Sequence, residues 1–136
     1  MGNTIWIEAE GRAGAETHSD MGKLLRLEPQ LDALATRLGV QKLSEFYDYR
    51  PLLEANQSEE SPDPLPEISW FNSAGGLESV RALRACLEKN FSELRWSAGK
   101  GDAHWQNDLI DELRSCEAVL VEALRAGQKF RLMIVP

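Results

Sequence analysis

The sequence predicts an α+β fold, a small sheet pairing the N- and C-terminal strands and covered on one face by about three helices. Two patterns carry this expectation. At the two ends of the chain, Thr4–Glu10 and Phe130–Ile134 alternate their apolar side chains with the period of a strand. Between them, apolar residues recur every three or four positions around 20–38, 73–90 and 102–126, the period of helices that bury one stripe. A terminal strand cannot stand alone, and pairing the two beneath the helices hides every apolar face at once. The 136 residues suit a single domain with its own core.

Taken in order, Ile5, Ile7 and Ala9 form one side of the first strand, with Trp6 and Glu8 on the other. The loop G-R-A-G-A at 11–15 lacks the glycine order of a phosphate cradle. Leu24, Leu27, Leu31, Leu34 and Leu38 then step as a helical seam, with Ser19 as N-cap and Gly39 as stop. Pro29 would remove an amide and crowd the preceding turn, so the helix should break around Leu27 and Glu28. S-E-F-Y-D-Y, from Ser44, reads as a single turn laying Phe46 and Tyr47 over the core.

Residues 54–67, E-A-N-Q-S-E-E-S-P-D-P-L-P-E, form an acidic, proline-rich surface loop, too poor in apolar residues to bury itself. Ile68–Phe71 is a short extended run, and residues 67–71 could join the sheet as a third strand. Asn72 caps a helix running to about Lys89 with Leu77, Val80, Leu83 and Leu87 as its stripe. Gly75 and Gly76 in its first turn point to close backbone packing against a neighbour. Asp102 opens the last helix, whose stripe is Trp105, Leu109, Leu113, Cys116, Leu120 and Leu124, and Gly127 ends it.

Charge narrows the function. Acids outnumber bases 22 to 15, giving −7, and the whole excess lies in residues 1–68, with 13 acids against 6 bases. Glu54, Glu59, Glu60, Asp63 and Glu67 lie together in a segment with no Lys or Arg, a candidate contact for a basic protein partner. Such a chain repels a phosphate backbone, so no nucleic-acid partner is expected. No run reaches the roughly 20 apolar residues of a membrane span, and the N-terminus has no signal-peptide pattern, so a cytoplasmic location without membrane association is expected. Cys86 and Cys116 fall on apolar helix faces and read as buried reduced thiols.

No pattern assembles a reaction. His104, Asp108 and Glu112 share one helical stripe, but a single histidine among acids on a solvated face is a poor metal site. Neither cysteine has a local base, and no G-x-S-x-G elbow occurs. Catalytic, cofactor and metal residues are therefore expected to be absent. Should the chain bind a small ligand or act as an enzyme, its pocket would lie where Phe46, Tyr47, Trp70, Trp105 and His104 could meet.

L-S-E-F-Y-D-Y (43–49), S-W-F-N-S-A-G-G-L-E-S-V-R-A-L (69–83) and F-R-L-M-I-V-P (130–136) give the chain a resemblance to a loose group of small acidic bacterial cytoplasmic proteins. The resemblance implies a strand-first layout closed by a terminal strand, and no assigned activity. The sequence thus leads to a non-enzymatic protein-binding module of the inhibitor or immunity type. Trp6, Met133 and Val135, on the sheet's second face, would further suit a homodimer.

Overall fold

A computed structural model describes residues 3–11, 20–56, 64–91, 94 and 104–136. It is α+β, with the two terminal strands paired as expected. β1 (Thr4–Ala9) runs antiparallel to β3 (Phe130–Val135), with Ile5 opposite Ile134 and Ile7 opposite Leu132. That register places Ile5, Ile7, Phe130, Leu132 and Ile134 on one face, and all five are buried there.

The third strand is not residues 67–71. It is β2 (Tyr47–Asp48), parallel to β3 and giving the order β1-β3-β2. From the expected stretch only Phe71 touches the sheet, exchanging two backbone hydrogen bonds with Phe130 at 2.8 and 3.0 Å. Before it in the chain, the Ser69 amide donates to Asp48 and the Trp70 ring lies over Arg131.

α1 (Gly22–Arg26) and α2 (Glu28–Leu38) meet at Leu27, where the chain leaves helical geometry and Pro29 occupies the first turn of α2. The proline-induced break falls where steric crowding requires it. Leu24, Leu27, Leu31 and Leu34 are buried, but Leu38 is left exposed beside Gly39, whose φ of 75° ends the helix. A 3-10 turn at Leu43–Phe46 brings Phe46 into the core, where its ring lies 5.1 Å from that of Phe130. α3 (Arg50–Ala55) follows β2 directly and lies against β3.

α4 (Ser73–Lys89) begins at Asn72, whose side chain accepts the amides of Ala74 and Gly75. A Cβ on Gly76 would overlap the ring of Phe130, so the glycine is what lets the helix approach β3. α5 (Trp105–Arg125) packs along α4 and buries Leu109, Leu113, Cys116 and Leu120. Its stripe ends on Ala123, and Leu124 is exposed. Ser19 and Asp102, the other expected caps, lie outside the described residues. Both cysteines are free, Cys116 buried and Cys86 half-buried.

The second face of the sheet differs from expectation. Met133 and Val135 are buried, and the indole N–H of the half-buried Trp6 donates to Asp20 at 2.7 Å. Alternation marks which residues share a face, but it does not reveal whether a later segment returns to cover that face. The motive for pairing two copies through Met133 and Val135 is thereby lost.

Candidate functional site

The segment leaving the sheet is held by one buried ionic group. Arg131 is the second residue of β3, the central strand, and its side chain is 9% exposed. Its guanidinium donates to Asp48 Oδ2 at 2.7 Å and to Glu8 Oε1 at 3.0 Å. The ring of Trp70 stacks over it, centroid 5.1 Å from the guanidinium carbon. Asp48 also accepts the amides of Arg50 (2.9 Å) and Ser69 (3.1 Å). Burial alone would push its carboxyl up, but the Arg50 amide, Arg131 and the Ser69 amide outweigh it and hold it below the usual range. One carboxylate therefore fastens β2 to the start of α3, the 64–70 run and the central strand. Arg50 Nε adds a bond to the Pro66 carbonyl at 3.2 Å.

What this anchoring presents is an exposed surface. Tyr49, Leu53 and Ile68 are 49%, 47% and 41% exposed, three of the five exposed large apolar side chains among the described residues. Tyr49 and Leu53 are one helical turn apart, joined by the hydrogen bond from the Leu53 amide to the Tyr49 carbonyl. Ile68 sits next to Ser69, which is tied to Asp48. Glu54 and Glu67 are exposed on the same two segments. Glu59, Glu60 and Asp63, the other acids of the expected contact, lie outside the described residues.

The five residues of the expected ligand pocket do not meet. Phe46 packs between Phe71 and Phe130 in the core. Tyr47 is buried at the sheet edge, where burial and the charges of Glu28 and Asp32 raise its hydroxyl well above the usual range. Trp70 stacks over Arg131 on the sheet's other face, Trp105 packs against Phe91 with ring centroids 5.7 Å apart, and His104 is exposed. The cavities between α1 and α5, along α4 and α5, and at the start of α4 are lined by none of these five.

The stripe of His104, Asp108 and Glu112 is likewise divided. Asp108 pairs with Lys23 at 3.4 Å, while Glu112 turns inward and accepts the amides of Leu24 (3.0 Å) and Lys23 (3.4 Å). Among the described residues no three His, Cys, Asp or Glu side chains converge as metal ligands. A cavity of about 340 Å³ beside Glu112 is lined by Asp20, Met21, Lys23, Asp108, Asp111 and Ser115. Burial raises the Glu112 carboxyl to about 7, against the pull of the two amides and Lys23 and with a further push from Asp108. Sequence spacing had given this residue only as one of a polar stripe.

The remaining arginines of α4 and α5 form a solvated network. Arg84 donates to Glu117 at 2.6 Å and to Glu88 at 3.2 Å, Arg81 joins Glu117, and Arg114 joins Glu88. No helix among the described residues is long and apolar enough to cross a membrane.

Compared with protein-family models, curated proteins and solved structures, the chain matches none. None of these comparisons bears on the expected resemblance to small acidic bacterial proteins. Fold and surface together define a small α+β protein on which exposed Tyr49, Leu53, Ile68 and Glu67 accompany Glu54, itself paired with Arg50 at 3.3 Å.

Proposed function

We infer that the chain is a non-enzymatic protein-binding module, of the inhibitor or immunity type, that captures a basic partner through α3 and the acidic segment 54–67. The observation that carries this reading is the pairing of exposed Tyr49, Leu53 and Ile68 with exposed Glu54 and Glu67 on an anchored scaffold. Aromatic and aliphatic side chains at the centre of a contact supply most of the binding energy, and surrounding charges set partner choice and encounter rate. His104 is exposed and lines none of the cavities described above, which favours this reading over an enzyme. The Asp48–Arg131 group supports it by fixing the backbone at both ends of the segment, which lowers the entropy lost on binding.

The test is affinity capture with partner identification by mass spectrometry. Two forms are compared, the native chain and one with Glu54, Glu59, Glu60 and Glu67 changed to Gln and Asp63 to Asn. The native chain should enrich a basic protein that the neutralised form does not retain. Recovery of the same proteins by both forms would refute the role of the segment.

A further inference from the structure

We draw no further inference here: the strongest candidate, the cavity of about 590 Å³ along α4 and α5 lined by Arg84, Arg114, Glu117, Ala118, Val121 and Glu122, carries nothing because Arg84, Arg114 and Glu117 already pair within the network joining the two helices and nothing in the structure shows what covers it.

Discussion

Replacing Asp48 with Asn tests the scaffold most sharply, because it changes one charge and almost no volume. The Asp48 side chain is 4% exposed and accepts three hydrogen bonds, two from amides and one from Arg131. Removing one partner of a buried pair costs about 3–5 kcal/mol when the remaining charge is left alone. Arg131 is not left alone, since Glu8 holds it at 3.0 Å, and an asparagine oxygen can still accept one amide. The expected loss is therefore smaller, about 2–3 kcal/mol, still a large share of a stability of about 5–15 kcal/mol. Glu8→Gln should cost less, because Glu8 is more exposed, at 16%, and bonds only Arg131 among these partners. Urea unfolding followed by fluorescence gives both values, and an unchanged slope would show that the denatured state is the same. The pH dependence adds a second reading. A carboxyl held low when folded stabilises above its unfolded range and loses that contribution as pH falls through its folded value. Native protein should therefore lose stability toward acid more steeply than Asp48→Asn. A loss below about 1 kcal/mol, or Glu8→Gln costing more, would refute the reasoning.

Two further changes probe the core. Gly76→Ala gains about 1 kcal/mol of helix propensity but drives a methyl into the Phe130 ring, so thermal melting should show net destabilisation of roughly 1–2 kcal/mol. Truncation after Gln128 removes β3, the central strand, with Phe130, Leu132 and Ile134, each worth about 1.5–3 kcal/mol when buried. Calorimetry should then show no cooperative transition, and a melt like that of the full chain would make the strand peripheral.

Much of the fold was legible because it rests on local periodicity and a few backbone constraints. The paired terminal strands, the break before Pro29, the stops at Gly39 and Gly127 and the Asn72 cap all follow from residues within a turn or two. β2 was not legible as a strand, since two residues carry no alternation and its partner lies more than eighty positions away. Arg131 left a trace, as a lone charge inside F-R-L-M-I-V, but Asp48 and Glu8 become its partners only when three strands align. Glu112 left none. On a helical wheel it belongs with His104 and Asp108, and only the arrival of α1 turns it into a cap. The aromatic cluster failed for a related reason. Phe46, Trp70 and Trp105 each pack against a different neighbour, and sequence spacing cannot distinguish three packing sites from one pocket.

The binding reading is tested most directly by the affinity for the captured basic partner as a function of salt, measured for the native chain and for Tyr49→Ala. Tyr49 is exposed and makes no part of the hydrophobic core, so its removal should leave folding intact. The account predicts that native affinity falls steadily as salt screens the acidic segment. It further predicts that Tyr49→Ala weakens binding about tenfold or more, a loss of about 1.4 kcal/mol or above as expected of a central aromatic anchor, with the salt slope unchanged. An affinity indifferent both to salt and to Tyr49 would contradict it.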